Sequence, residues 1–324
     1  MYQWVAVGLA YVGAVVGAGF ASGQEIYQFF SRHGAMGMWG LVLSGALFFL
    51  LGRGALLAGA RGRVTLPDLL AGWYRPSATG WLDRAASVML AVGMVVVAAA
   101  GGSVLHQLVG VPTPVGSLAT LGGVVLVAGR GSGAVLSANA LLVPALLVVT
   151  AVVVAGSAKS LAGVSTPGWW LSAGLYVSYN LFTGLVVLLA LGATLPDGRG
   201  ATRAAALGAG LLTALGLGIH SALLAAPAQR TLDLPLLALA QRVSGFWWLA
   251  DAIAMYAALF TTGVAQAFAL ATRHGRGVIR WAVLLWPLSW LGFAGWVRWG
   301  YPVMGVLALW YVWPLVRARP RRGA

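Results

Sequence analysis

The sequence predicts an all-α polytopic membrane protein whose ten transmembrane helices form two inverted five-helix repeats, with the first and sixth helices broken. Composition indicates the class, because 60% of the 324 residues are hydrophobic and only 8% are charged, whereas soluble domains carry about 25% charged residues. The breaks are predicted from two apolar segments that small and polar residues interrupt, a pattern typical of transporter binding sites.

Ten apolar stretches account for the helix count, because each approaches the roughly 20 residues that a helix needs to cross a bilayer. They cover about residues 3–30, 35–59, 85–109, 113–129, 136–158, 167–195, 203–226, 246–271, 278–297 and 300–316. With five crossings in each half, the second half enters the membrane from the opposite face. We therefore expect a single transmembrane domain of two inverted repeats, residues 1–158 and 167–316, followed by a basic tail at 317–324.

Basic residues predict the orientation, since cytoplasmic loops are enriched in Lys and Arg. With both termini inside, 15 of the 20 basic residues lie in cytoplasmic loops. These are Arg53, Arg61, Arg63, Arg75, Arg84, Arg130, Arg199, Arg203, Arg273, Arg276, Arg280, Arg317, Arg319, Arg321 and Arg322. The outside residues are Arg32, Lys159, Arg230, Arg242 and Arg298. The net charge of +14 thus follows topology, and we expect a cell-membrane protein in contact with lipid and without a nucleic-acid partner.

The first apolar segment contains glycines where a simple membrane anchor would carry Leu, Ile or Val. Gly17, Gly19 and Gly23 lie in its middle, and Ser22-Gly-Gln-Glu25 has the spacing of a capping box, which marks a helix start. These residues predict two half-helices joined by an unwound hinge. Because broken backbone at membrane depth is tolerated only where it lines a cavity or is buried in protein, we expect the substrate site here, on Gly17, Ala18, Gly19 and Phe20.

The sixth segment contains the second predicted interruption, Tyr176-Val-Ser-Tyr-Asn-Leu-Phe-Thr-Gly184. Tyr179 and Asn180 are candidate substrate ligands at this break. Phe20 and Phe260 are candidate aromatic walls, although most aromatic residues in such helices simply pack against their neighbours.

Two acidic residues lie within apolar spans. Glu25 is a candidate for gating or proton transfer, since an intramembrane carboxylate is a functional candidate by default; the alternative is a capping-box acid that faces an outer vestibule. Asp251, near the outer start of the eighth segment, is interpreted as a helix-start acid.

Two loops carry patterns of their own. Thr65-Leu-Pro-Asp68 predicts a short surface helix on the inner side, with Thr65 as its cap. Outside, the segment from Arg230 to Arg242 mixes apolar and polar residues and predicts a helical lid with a role in gating or occlusion.

These features resemble the five-plus-five inverted-repeat transporters of the amino acid–polyamine–organocation superfamily and the neurotransmitter:sodium symporters. The phrase Gly17-Ala-Gly-Phe-Ala-Ser-Gly-Gln-Glu-Ile26 is most similar to the YkvI family of bacterial membrane proteins. The residue-level resemblance is confined to the first and eighth segments, with a weaker similarity in the sixth.

The resemblance implies a sodium site between the first and eighth helices. Matched by motif, backbone carbonyls fall on Gly13, Val16 and Ala258 and hydroxyls on Thr261 and Thr262. A hard cation such as sodium prefers oxygen ligands of this kind. The alternative for the two threonines is hydrogen bonding to their own helix or to a neighbour. Ala14 replaces the Asn of a second sodium site in the sodium symporters, so one sodium ion is expected.

The sequence therefore predicts a secondary active transporter, a sodium-coupled symporter for uptake of a small amino acid or related zwitterion by alternating access. The substrate carboxylate is expected at the amides of the Gly17 hinge. The alternatives are a proton-coupled or cationic-amine transporter that uses Glu25, and, from another class, a channel or a membrane sensor. An enzyme is not expected, because the chain has no cysteine, no His-Glu-x-x-His motif and no paired catalytic carboxylates; no cofactor other than the coupling ion is expected.

Overall fold

The computed structural model describes residues 3–62, 65–128, 133–275, 277 and 283–316, and all regular secondary structure among them is helical. The first half contains α1 (Gln3–Val15), α2 (Ala18–Ala21), α3 (Gln24–Phe29), a 3-10 helix (Ser31–Met36), α4 (Gly37–Ala60), α5 (Leu66–Ala71), α6 (Pro76–Val109), α7 (Thr113–Ala128) and α8 (Gly133–Gly156). The second half contains α9 (Trp169–Ala193), α10 (Gly198–Leu224), α11 (Pro235–Val243), α12 (Gly245–His274), a 3-10 helix (Val283–Leu291), a three-residue α-helical turn (Phe293–Gly295), a π-helix (Trp296–Gly300) and α13 (Tyr301–Val316).

Six helical spans among the described residues are long and apolar enough to cross a membrane. They are Ser31–Ala60, Pro76–Val109, Trp169–Ala193, Gly198–Leu224, Gly245–Ala271 and Phe293–Val316. Gln3–Val15, Thr113–Ala128 and Pro144–Gly156 are shorter apolar helices. The molecule is thus a multi-pass helical membrane protein, while the count of ten crossings and the inverted repeat stay predictions; residues 278–282 of the ninth predicted segment lie outside the described part of the chain.

Small residues allow the central helices to approach closely, as is usual between helices in membranes. Side chains at Gly59 and Gly192 would overlap the backbone of the facing helix in the pair α4 and α9. On the first helix, the Tyr11 hydroxyl donates to the Phe48 carbonyl at 2.7 Å, which joins α1 to α4. α1 and α4 are thereby held around α9, the helix that carries the polar residues of the site.

α12 packs against α6 and α7 on the other side of the bundle. Gly263 lies in contact with Val97 of α6 and Val124 of α7, since a Cβ added to this glycine would lie 2.9 Å from each valine side chain. The hydroxyls of Thr120 and Tyr256 are 3.2 Å apart. This side of α12 is therefore occupied by protein.

The connecting segments gather at two ends of the bundle. At one end, Ser160 donates to the Ser221 carbonyl at 3.0 Å. At the other end, Gln3 donates to the Thr194 carbonyl at 2.6 Å. Lys159 lies at the first end, and Arg61, which follows α4, lies at the second, so the structure separates two residues that were predicted to be on opposite sides.

The predicted inside residues that lie beyond the described ranges are Arg63, Arg130, Arg276, Arg280, Arg317, Arg319, Arg321 and Arg322.

The structure corrects the predicted break in the sixth segment. α9 runs without interruption from Trp169 to Ala193, and Tyr179 and Asn180 lie in the middle of it. Asn180 donates from Nδ2 to the Tyr176 carbonyl of the same helix at 3.0 Å. Polar residues in this helix therefore provide side chains to the interior and do not unwind its backbone.

Two predicted loop helices are present. Thr65 caps α5 by accepting a hydrogen bond from the Asp68 amide at 3.3 Å. The predicted outer lid contains α11, which begins at Pro235, a residue whose fixed φ suits the first turn of a helix.

Candidate functional site

The first membrane segment is broken twice, where its glycines predicted one hinge between two half-helices. α1 ends at Val15, the single turn α2 begins at Ala18, and α3 begins at Gln24. The second break turns on Gly23, whose φ of 78° lies in the left-handed region that glycine adopts without steric cost. Three short helices therefore replace one continuous span, and backbone groups become available inside the protein.

The predicted capping box is wrong in the role that it gave to Glu25. Ser22 accepts a hydrogen bond from the Gln24 amide at 3.2 Å, but the cap residue of α3 is Gly23. The Glu25 side chain does not return to the Ser22 amide, because it binds to residues of α9.

Glu25 is the centre of the site. Its carboxylate accepts hydrogen bonds from the Tyr179 hydroxyl and from Asn180 Nδ2, the latter at 3.5 Å. The residue is only 1% exposed. The alternative in which Glu25 faces an outer vestibule is therefore wrong, and an acidic group does lie at the break.

The carboxylate also lies against Gly19 of α2. A side chain at Gly19 would overlap the Glu25 carboxyl group, whereas a Cβ at Gly17 would meet nothing within 4 Å. Gly19 thus makes room for Glu25, and the glycine-rich hinge, Glu25 and the two polar residues of α9 form one site. The sequence predicted these members separately but not that the acid folds back onto the hinge.

Tyr301 is a member of the site that the sequence did not identify. Its ring packs on that of Tyr179, with centroids 4.4 Å apart, and it is buried. No motif surrounds Tyr301, and only the packing of α13 against α9 brings it to Glu25. The carboxylate is thus approached by aromatic and amide side chains that carry no charge.

The backbone amides of Gly17, Ala18 and Gly19 precede the first internal bond of α2, which Ala21 donates to the Gly17 carbonyl at 3.0 Å. The first amides of a helix have no partner within it. Since α2 has only four residues, its dipole is that of a single turn, and the expected attraction of a substrate carboxylate by a half-helix dipole is weak here. The amides remain available as individual donors.

The predicted sodium ligands of α12 share one acceptor. Thr261 and Thr262 both donate from Oγ1 to the Ala258 carbonyl, at 3.0 Å and 2.9 Å. This is the bonding to their own helix that was the alternative interpretation. These hydrogen bonds leave lone pairs on both hydroxyls free. They also bring the two hydroxyl oxygens and the Ala258 carbonyl oxygen together on one patch of α12, the helix against which α2 packs.

Gly13 and Val16 lie where α1 ends. Val16 donates to the Val12 carbonyl at 2.8 Å, after which the helix stops and Gly17 adopts an extended conformation. The last carbonyls of a helix have no amide partner within it, which is the property that the sodium assignment needs.

Phe260 is not a wall of the Glu25 site. Its ring stacks on that of Tyr256, with centroids 6.2 Å apart, and reaches to within 3.0 Å of a Cβ position at Gly123 of α7. The side chain therefore faces α7. Phe20 of α2 is fully buried beside the break.

α11 lies directly on the second break. The Leu236 amide donates to the Ser22 carbonyl at 2.8 Å, and Leu236 Cβ lies 3.4 Å from a Cβ position at Gly23. A backbone hydrogen bond thus connects the predicted lid to the hinge, so any opening of the lid must break it.

Asp251 is not a helix-start acid. Ser244 caps α12 by accepting from the Trp247 amide at 3.3 Å, and Asp251 lies almost two turns further along, fully buried. Sequence position near a helix start suggested the wrong environment for this carboxylate.

Comparison with known proteins supports a membrane transporter fold. The structure is similar to a manganese transporter from Eremococcus coleocola, solved in complex with an aromatic bis-isothiourea substituted compound. The similarity covers 95% of this chain and 69% of that one, with a TM-score of 0.51 and 17% identity, and concerns the fold alone.

In sequence, the chain is 30% identical over 190 residues to the uncharacterized membrane protein YkvI of Bacillus subtilis. The match spans about half of each protein, 56% of this chain and 55% of the relative, and agrees with the resemblance of the first segment. No protein-family model matches the chain. The chain is thus a polytopic helical membrane protein that shares its fold with a solved transporter and part of its sequence with YkvI.

Proposed function

We propose that the protein is a secondary active transporter for a small solute that carries a protonated amino group, with Glu25 as the counter-charge. One observation carries this proposal: the buried Glu25 carboxylate lies at the break of the first segment, and its hydrogen-bond partners among the described residues are the neutral side chains of Tyr179 and Asn180. A carboxylate taken out of water needs an opposite charge. The ammonium group of a bound substrate supplies that positive charge, which is present in the site only while the substrate is bound.

The groups around Glu25 suit an ammonium. Tyr179 and Tyr301 present aromatic rings beside the carboxylate, and ring faces attract cations. Gly19 contacts Glu25, whereas Gly17 and Ala18 precede it in the chain. Their free amides can donate hydrogen bonds to a carboxylate of the same substrate. Small amino acids are therefore the first proposed substrates, and simple amines are the second, because they need only the Glu25 half of the site.

Sodium coupling is the proposed source of energy. Its support is the patch of oxygens at Ala258, Thr261 and Thr262, together with the free carbonyls where α1 ends. Alternating access would then require α11 to leave Ser22 when the site opens outward. A channel or sensor does not need a lid bonded to an internal binding site, so saturable uptake distinguishes the transporter from both.

A divalent metal is the cargo of the structural relative, but it is not the substrate we propose. Manganese sites use several charged or imidazole ligands, and the residues described in this structure include no group of three His, Cys, Asp or Glu able to hold a metal ion. Glu25 alone at the break is better suited to a single positive charge.

The test compares the purified protein with a small neutral amino acid, its amide and its decarboxylated amine, using thermal stabilisation in sodium and in potassium. We expect all three ligands to stabilise the wild type, the amino acid most, and Glu25→Gln to lose at least tenfold in affinity for each. Asp68→Asn, which alters an exposed carboxylate in α5, is the matched control and should behave as the wild type. Equal affinities of Glu25→Gln and wild type would contradict the assignment of Glu25.

A further inference from the structure

We propose that Asp251 is a proton-binding site of the transport cycle, separate from Glu25. The Asp251 side chain is 0% exposed, and both of its carboxylate oxygens lack a hydrogen-bond partner among the described residues. Nothing in the proposed substrate site uses this group. The proposal rests on the transporter function proposed above and adds a proton to its coupling chemistry.

Helix geometry places Asp251 on the ion-binding face of α12. Ala258 and Thr262 follow it by seven and eleven residues, which at about 100° per residue brings all three to within about 20° of one line along the helix. At a rise of about 1.5 Å per residue, Asp251 lies roughly 10 Å from Ala258, toward the end of α12 that α11 covers. The carboxylate is thus above the predicted sodium ligands on the outer side.

No counter-charge faces Asp251 from the helices packed against α12. In their described parts, α2, α7 and α8 have no titratable side chain, and α11 has only the exposed Arg242. On α6, Asp83 pairs with Arg273 at 2.5 Å near the other end of α12, and Arg84 follows Asp83 in the chain. The exposed His106 of α6 lies 3.0 Å from the Val111 carbonyl. In the segment before α11, Asp233 accepts a hydrogen bond from Ser103 at 3.2 Å, and Arg230 does not hydrogen-bond to Asp251.

A proton satisfies these conditions better than a metal ion. Burying an unpaired carboxylate is so unfavourable that the group takes up a proton or another cation. Sodium needs several oxygen ligands around it. A proton needs only the carboxylate itself, so we assign the neutral carboxylic acid to this closed structure.

The proton has a route when α11 opens. α11 packs against α12 and is hydrogen-bonded to Ser22, so its departure exposes the outer part of α12 to water. The O–H bond of the acid then breaks, the proton passes to a water molecule, and the carboxylate remains hydrated. Closure reverses the step, because the carboxylate must regain a proton before it is buried again.

The experiment measures unfolding of the purified protein against pH, without substrate and at constant sodium, for the wild type and Asp251→Asn. A group protonated in the folded state and ionised in the unfolded state makes stability fall as pH rises above the usual carboxyl range. We expect the unfolding constant of the wild type to rise by up to about tenfold per pH unit relative to that of Asp251→Asn, whose amide mimics the neutral acid. Both proteins keep Glu25, so the difference reports Asp251.

Asp197→Asn is the control: it replaces the carboxylate that accepts from the Gly200 amide by an amide whose oxygen can still accept, and it should keep the pH slope of the wild type. If Asp251→Asn does not fold, Asp251→Leu serves in its place, since an apolar side chain of similar size also remains neutral. Equal pH slopes in wild type and variant overturn the proposal. A separate series of sodium concentrations is run on both proteins, and unchanged pH slopes together with weaker stabilisation of Asp251→Asn by sodium overturn the proposal in favour of a sodium ligand. If Glu25→Gln does not weaken ligand binding, the proposed substrate site is refuted, but the comparison of pH slopes for Asp251 still stands.

Discussion

At the scale of single residues, the contact between Gly19 and Glu25 is the most restrictive feature of the site. A glycine in a membrane helix often serves only close packing of helices, but Gly19 lies against a carboxyl group of its own segment. The lack of a side chain there lets the acid reach Tyr179 and Asn180. Gly19 and Glu25 are therefore expected to act as one unit in substrate binding.

This pair gives a prediction with a matched control. Gly19→Ala places a methyl group on the Glu25 carboxylate and must displace it, so we expect affinity for the amine-bearing ligand to fall roughly tenfold, which is about 1.4 kcal/mol. Gly17→Ala adds the same methyl group where nothing lies within 4 Å and should retain affinity. Thermal-shift titration of both variants measures the difference. A Gly17→Ala protein as impaired as Gly19→Ala would show that the hinge tolerates no methyl group and that Glu25 is not the reason.

At the scale of elements, the two sides of the site differ in rigidity. α9 is a continuous helix that holds Tyr179 and Asn180 on a fixed backbone. The first segment consists of short pieces joined at Val16–Gly17 and Ser22–Gly23, and α11 is bonded to the second joint. Short helices have little stability of their own, so α1 to α3 and α11 are the parts of the site that we expect to move during transport.

α12 provides the prediction for the ion. Thr261→Ala and Thr262→Ala each remove an oxygen beside the Ala258 carbonyl, so sodium should stabilise the double variant less than the wild type, while potassium has no specific effect on either. Thr213→Ala is the matched control, because Thr213 makes the same kind of bond to its own helix, to the Ala209 carbonyl at 2.7 Å. Melting temperatures across a series of sodium concentrations provide the measurement. Identical wild-type melting curves in sodium and potassium would reject the sodium site.

At the scale of the whole molecule, described basic residues lie at both ends of the bundle. Arg53, near the second end, donates to Thr202 at 2.9 Å, and the ion pair of Arg273 with Asp83 joins α12 to α6. Lys159 lies at the opposite end, in the connection between α8 and α9. The orientation rests on the excess of basic residues that the sequence predicts for one set of loops, which would place those loops in the cytoplasm.

The orientation is testable because the chain has no cysteine. Lys159→Cys and Arg61→Cys each introduce a single exposed thiol, and the two positions lie at opposite ends of the bundle. We expect an impermeant thiol reagent added to intact cells to label Lys159→Cys alone, and to label Arg61→Cys only after the membrane is permeabilised. The reverse pattern would place both termini outside.

The sequence by itself predicted the membrane-spanning segments, a break in the first of them and a helix after α10, and it named Tyr179 and Asn180 as candidate site residues. Each of these depends on local information: apolar length, glycine and capping residues, or polar residues in an apolar helix. The sequence predicted a single hinge, and only the structure shows the second break, so that the segment is interrupted on both sides of Ala18–Ala21.

The tertiary structure decided what these groups face. Polar residues in α9 were predicted to mark a break, but the helix is intact, because Asn180 bonds to the Tyr176 carbonyl of its own helix and to Glu25 of another. The sequence left Glu25 as either a gating or proton-transfer residue or a capping-box acid facing an outer vestibule, since a sequence gives distance along the chain and not the direction in which a side chain folds back. The same holds for Phe260, Tyr301 and Asp251. Each lies on an apolar helix, and only the packing of neighbouring helices decides that Phe260 faces α7, that Tyr301 reaches Glu25 and that Asp251 has no hydrogen-bond partner among the described residues.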